Sequence, residues 1–126
     1  MCTIILERGR GLEDAVLDYG VRRYWMVRNW REVVRRVRDA VLEMFPEARV
    51  YVFGSVVEGR VTASSDIDVL VVIPGLVGGV REKAEIQAKI EDRAGLSEVN
   101  PVEFHIVTPE EAEWYFKTLK IRYVEA

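Results

Sequence analysis

Between Tyr24 and Phe45 the apolar residues Trp30, Val33, Val34, Val37, Val41, Met44 and Phe45 recur as one stripe at the helical period of about 3.6 residues. Arg28, Arg31, Arg35 and Arg38 follow on another face. The pattern predicts an amphipathic helix stopped by Pro46, which has no N–H to extend it. Upstream, Leu12, Ala15, Val16 and Tyr19 predict a short helix ending at Gly20, and Thr3 to Leu6 reads as a strand or as an apolar patch on a tail. The period then drops to two. Arg49 to Phe53 predicts a strand with Tyr51 and Phe53 on one face and Val50 and Val52 on the other. Asp66 to Ile73 predicts a central strand with Ile67, Val69, Val71 and Ile73 on one buried face. Asp66 and Asp68 begin the other face, which Leu70 and Val72 continue as apolar cover. The strand is thus buried on both sides and acidic only at its leading end. Val80 to Ala94 returns to helical spacing, with Ile86, Ile90 and Ala94 inward and Gly95 as the stop. Pro101 to Val107 predicts a third strand, with Val102, Phe104 and Ile106 opposite Glu103 and His105. Thr108-Pro109-Glu110-Glu111 has an N-cap, a first-turn proline and a glutamate three after the cap, predicting a helix to about Leu119. Ile121 to Val124 reads as a last strand or a docking segment.

Chemistry gathers between Val50 and Ile73. Asp66 and Asp68 lie at i and i+2, so a strand turns both to one face. Paired anions repel there, and the arrangement makes sense if a cation sits between them. Gly54-Ser55 stands ten residues ahead of Asp66. Glycine lets a backbone approach a phosphate closely, and the N–H groups that open a short helix through Val56 and Val57 would point at an anion. The plainer reading of Gly54 is a tight strand-to-helix turn; its distance from Asp66 favours the phosphate cradle. Ser64 and Ser65, in the loop from Gly59 to Ser65, are small polar residues able to cap or donate near the site. Arg60 of the same loop reads as solvated, with phosphate contact the alternative.

Composition narrows the options. The 126 residues suit one domain with one core, here taken as 1–126 with a helical extension over about 12–45. At 49% hydrophobic and 31% charged the composition is that of a soluble globular protein. No stretch approaches a membrane span and the N-terminus lacks a signal-peptide pattern, so a cytoplasmic location is expected. One cysteine, Cys2, excludes an internal disulfide and a cysteine-based zinc site, and His105 as the single histidine excludes a histidine-rich one. A hard, oxygen-ligated metal remains and fits the carboxylates. Few amides and many Arg and Glu suit a thermophile. Net charge is −3, yet residues 21–40 hold seven arginines against Glu32 and Asp39. That basic stripe reads either as a contact for nucleic acid, phosphates or an acidic partner, or as a solvated face paired with neighbouring acids; the second reading is preferred.

Over Phe53 to Val71 the pattern of apolar strand, Gly-Ser, loop and Asp-x-Asp resembles the nucleotidyltransferase superfamily that includes DNA polymerase beta. The resemblance covers about 46–116 and implies an α/β (α+β) fold, a small mixed β-sheet with helices packed on it. It implies Asp66, Asp68 and Glu103 as catalytic, metal-holding acids around two Mg²⁺ ions, and Gly54, Ser55 and Ser65 as nucleotide-binding residues for ATP or another NTP. Glu103 matches the family's third acid, the other reading being an edge-strand glutamate paired with a surface cation. His105, two residues further along that face, reads as a hydrogen-bonded structural histidine. The small size is similar to the minimal nucleotidyltransferases of bacteria and archaea. That likeness implies transfer of AMP to a tyrosine of a small helical HEPN-type partner, as the antitoxin of a toxin–antitoxin pair. Two positions depart from the family pattern: Glu58 stands where many members carry Arg, and Glu103 where Asp is commoner. The alternatives are a nucleotide- and metal-binding module that acts by docking, and a nucleic-acid-binding protein using the arginine stripe. A homo-oligomer stays open.

Overall fold

A computed structural model describes residues 12–97 and 99–126; the Thr3–Leu6 segment lies outside the described residues. Two helices come first, α1 (Leu12–Arg28) and α2 (Trp30–Met44). The sequence pattern predicts a stop at Gly20 and a second helix from Tyr24. Instead α1 runs through Gly20, whose missing Cβ would meet nothing within 4 Å. A mid-helix glycine costs only about 1 kcal/mol, which the flanking turns absorb. The break falls at Asn29. Its side-chain amide and its backbone N–H both donate to the Trp25 carbonyl, at 2.8 and 2.9 Å, and its φ and ψ of −104° and 36° leave the helix. Trp30, Val33, Val34, Val37, Ala40 and Val41 of α2 are buried, so the predicted apolar stripe is the packed face.

The sheet holds β1 (Arg49–Phe53), β2 (Ile67–Val72), β3 (Val102–Val107) and β4 (Tyr123–Glu125). Its order is β3-β2-β1-β4. β1 runs antiparallel to β2 and to β4, while β2 and β3 are parallel, so the sheet is mixed as expected. The open reading of Ile121 to Val124 resolves as the short edge strand β4. A short helix α3 (Ser55–Glu58) follows β1, and α4 (Val80–Ala94) links β2 to β3, as a parallel pair requires.

The two sheet faces are covered separately. Val50, Val52, Ile67, Val69, Val71, Val102 and Ile106 join the buried residues of α2 and α4 in the larger core. On the other face Leu70, Val72 and Val107 pack with Ala112, Tyr115 and Phe116. Those last three come from α5 (Pro109–Glu113) and the π-helical turn Trp114–Thr118 that continues it. Thr108 caps α5: its hydroxyl accepts from Glu111 N–H at 3.1 Å, and the Glu111 carboxylate accepts from Thr108 N–H at 2.9 Å. The α-helix predicted to Leu119 is α-helical only to Glu113; the Leu119 N–H then reaches back five residues to the Trp114 carbonyl. That wider turn lets consecutive Tyr115 and Phe116 both meet the sheet. Among the described residues no helix is long and apolar enough to cross a membrane.

Candidate active site

The site forms where β1 ends and β2 and β3 begin. Parallel pairing sets Asp68 opposite Glu103 and Leu70 opposite His105. Side chains alternate along a strand, so Glu103 and His105 share the face on which Asp68 lies. Antiparallel pairing sets Phe53, the last residue of β1, opposite Asp68. The next residue, Gly54, has φ of +85°. A Cβ built there would stand 2.3 Å from Asp68 Oδ2, so any larger residue would displace that carboxylate. The glycine-serine bend and the second aspartate therefore meet directly.

Among the described residues, Asp68, Glu103 and His105 bring donor atoms within 4.8 Å of one another. His105 Nε2 lies 3.4 Å from Asp68 Oδ1 and 3.3 Å from Glu103 Oε1. The Tyr115 hydroxyl lies 3.4 Å from His105 Nδ1. Nε2 thus faces the two carboxylates and Nδ1 faces the Tyr115 hydroxyl, with the donor in each pair set by the imidazole tautomer. Phe53 and Tyr115 rings flank the imidazole at centroid distances of 5.2 and 5.7 Å. Burial pushes the Tyr115 phenol up from its usual value of 10.0, with Glu111 and Glu103 adding to the same direction. His105 also borders a groove of about 380 Å³ with Lys83, Glu111, Trp114 and Tyr115.

Asp66 stands outside this trio. It precedes β2, and its Oδ1 accepts from Arg23 Nη2 at 2.5 Å. Arg23 Nη1 also donates to the Ala63 carbonyl at 3.0 Å. The Arg23 side chain is only 16% exposed, against 48% for Asp66. Ser55 opens α3. Ser65 is buried, and its hydroxyl accepts from Thr62 N–H at 2.8 Å, tying the loop closed. Glu58, at the position noted for its departure, pairs with Arg60 at 2.6 Å.

Sequence pattern put His105 beside Glu103 and read it as structural; the structure gives it hydrogen-bonding partners and sets it among the acids. Arg23 was not singled out. It is one of seven arginines in its stretch, and its partner lies 43 residues away, so no local pattern marks it. Two of the four arginines named as a stripe are ion-paired, Arg35 with Glu32 and Asp39, and Arg38 with Asp39. Arg31 stacks on Trp30, and Arg28 lies over Tyr24.

The model of the nucleotidyltransferase domain matches residues 34–125. The chain belongs to the nucleotidyltransferase domain family. No relative was found among curated proteins. A crystal structure of a protein assigned as a nucleotidyltransferase is 30% identical, with 73% of this chain and 95% of that chain covered at a TM-score of 0.54. Another, from Sulfolobus solfataricus, is 19% identical over 94% of this chain and 90% of that one, with a TM-score of 0.55. This second likeness is one of fold. The α+β architecture expected of a nucleotidyltransferase is thus present, and the family match extends on both sides of the 46–116 core. Arg23 lies outside the matched residues and yet reaches one of the two aspartates.

Proposed function

We propose that this nucleotidyltransferase transfers AMP from ATP to a hydroxyl group, and that the acceptor is a tyrosine of a small helical HEPN-type partner. In the transfer, the acceptor oxygen forms a bond to the α-phosphorus while the bond from that phosphorus to the bridging oxygen breaks. Pyrophosphate leaves, and the hydroxyl proton passes to solvent. The observation that carries the reading is the meeting of Asp68 and Glu103, paired across parallel strands, with the Gly54 backbone set against the Asp68 carboxylate.

Asp68 and Glu103 fit a divalent cation: two carboxylates of adjacent strands, close together, facing solvent at the open end of the sheet. Asp66 would join them on release from Arg23. A bound ion of this kind supplies charge stabilisation for the α-phosphate and makes a nucleophile of the hydroxyl near neutral pH. The protein's own part is to hold donors and substrate in place. Gly54 brings main chain close to the triphosphate because no side chain intervenes. Ser55 offers its hydroxyl and amide at the head of α3. The structural position of Ser65 supports a role in shaping the loop that carries Asp66. The substrate and partner rest on the likeness to minimal nucleotidyltransferases.

The test is co-expression with a small helical HEPN-type protein, followed by mass spectrometry of the purified partner. The expected result is an added AMP on one tyrosine, lost with Asp68→Asn. Partner binding that persists with no added mass would favour docking alone.

A further inference from the structure

We infer that His105 is a nitrogen ligand of the site's cation, and that it shifts the site's preference from Mg²⁺ toward a first-row divalent ion, of which Mn²⁺ is the probe. The inference deepens the proposed function and rests on it. Three observations carry it.

The first is spacing. A charge-assisted bond from imidazole to carboxylate closes to about 2.7–2.9 Å. Here Nε2 stays 3.4 Å from Asp68 and 3.3 Å from Glu103, long for either bond. Adjacent donors around an ion with bonds of about 2.1 Å stand roughly 3 Å apart. A contraction of a few tenths of an ångström brings Nε2 to that spacing from each carboxylate, and all three donor atoms already lie within 4.8 Å of one another. The imidazole stands near both carboxylates at nearly equal distance and is drawn tightly to neither.

The second is the support behind the ring. A ligating histidine commonly gives its other N–H to an oxygen, which fixes the tautomer and the ring plane. The Tyr115 hydroxyl stands 3.4 Å from Nδ1. A phenol both donates and accepts, so it serves the ring in either tautomer. It can donate to a bare Nδ1, and it accepts from Nδ1–H when Nε2 turns its lone pair to an ion. Phe53 and Tyr115 pack the ring between them.

The third is the donor chemistry. Mg²⁺ favours oxygen donors and keeps several waters. Imidazole suits the later first-row ions, and affinity for such sites rises from Mn²⁺ onward. One nitrogen with two carboxylates is thus a mixed set, with room left for phosphate oxygens and water.

The test has a readout independent of catalysis. Wild type, His105→Ala, His105→Gln and Tyr115→Phe are titrated calorimetrically with MnCl₂ and with MgCl₂, after circular dichroism has shown each to be folded. The Mn²⁺-loaded proteins are examined by pulsed EPR. The expected result is ligand-nitrogen modulation in wild type that vanishes in both His105 variants. Mn²⁺ affinity should fall at least about tenfold in His105→Ala, and about tenfold in Tyr115→Phe through loss of orientation. Mg²⁺ affinity should change less than about twofold. Mn²⁺ bound without nitrogen modulation, or both ions weakened equally, would overturn the inference and leave the carboxylate site standing. Failure of wild type to bind either ion would overturn both.

Discussion

Gly54 is where the account is most exposed at the scale of single residues. Its φ of +85° suits glycine, and a Cβ there would press on Asp68 Oδ2. Gly54→Ala should therefore keep the fold while lowering transfer about 100-fold, the usual result of displacing a reacting group by an ångström; circular dichroism and a single-turnover assay separate the two effects. The motif that contains this glycine was readable because it is local: a strand, a bend, a loop and a second strand in one stretch of chain. The pairing of Asp68 with Glu103 was readable through strand parity and family likeness together. His105 and Tyr115 were not readable as a pair. Their meeting depends on a π-helical turn, and residue spacing gives no warning of that extra backbone atom path. Tyr115 also makes a spectroscopic prediction. Its raised value means that the folded state holds the proton to higher pH than an unfolded chain does. The associated stability is complete below the ordinary value of 10.0 and is lost as pH climbs through the folded one. An ultraviolet tyrosinate titration should show one late phenol that disappears in Tyr115→Phe.

Elements differ in how far their boundaries follow from local chemistry. α4, β1 and the start of α5 lie where glycine stops, alternation and a capping box put them. The α1–α2 boundary does not, because Asn29 ends a helix through a bond to its own Trp25 carbonyl that a propensity scale does not encode. The α5 cap gives a direct test. The Thr108 N–H holds the Glu111 carboxyl below its usual 4.5, with Lys83 acting in the same sense. Its contribution is present above that usual value and fades as pH falls through the lower folded one. Thr108→Ala should cost about 1 kcal/mol by urea denaturation at neutral pH. α1 carries a second test. Arg23 holds one oxygen of Asp66 and so places a positive charge beside the proposed cation site. Arg23→Ala should tighten divalent-cation binding by up to roughly fivefold, in line with the ~1 kcal/mol of a part-exposed ion pair. Weaker binding would instead make Arg23 a support that Asp66 needs.

For the whole molecule, the sheet is the common floor of two cores and one site. Leu70 is fully buried beneath the face that also carries Asp68 and His105, so Leu70→Ala should lower stability by about 2–5 kcal/mol. Fold class followed from the family likeness, whereas the union of α1 with the site needed coordinates. The arginines of α2 largely pair on their own helix, and net charge is −3, which favours a solvated exterior over a nucleic-acid surface. The central claim is nucleotidyl transfer from a site built on Asp68 and Glu103, and the most direct measurement uses ATP labelled at the α- or the γ-phosphorus. With the partner present, the account predicts that α-label is retained on protein and γ-label is released as pyrophosphate, both dependent on divalent cation and abolished by Asp68→Asn or Glu103→Gln. Retention of the γ-label, or α-label transfer undiminished in both variants, would contradict it.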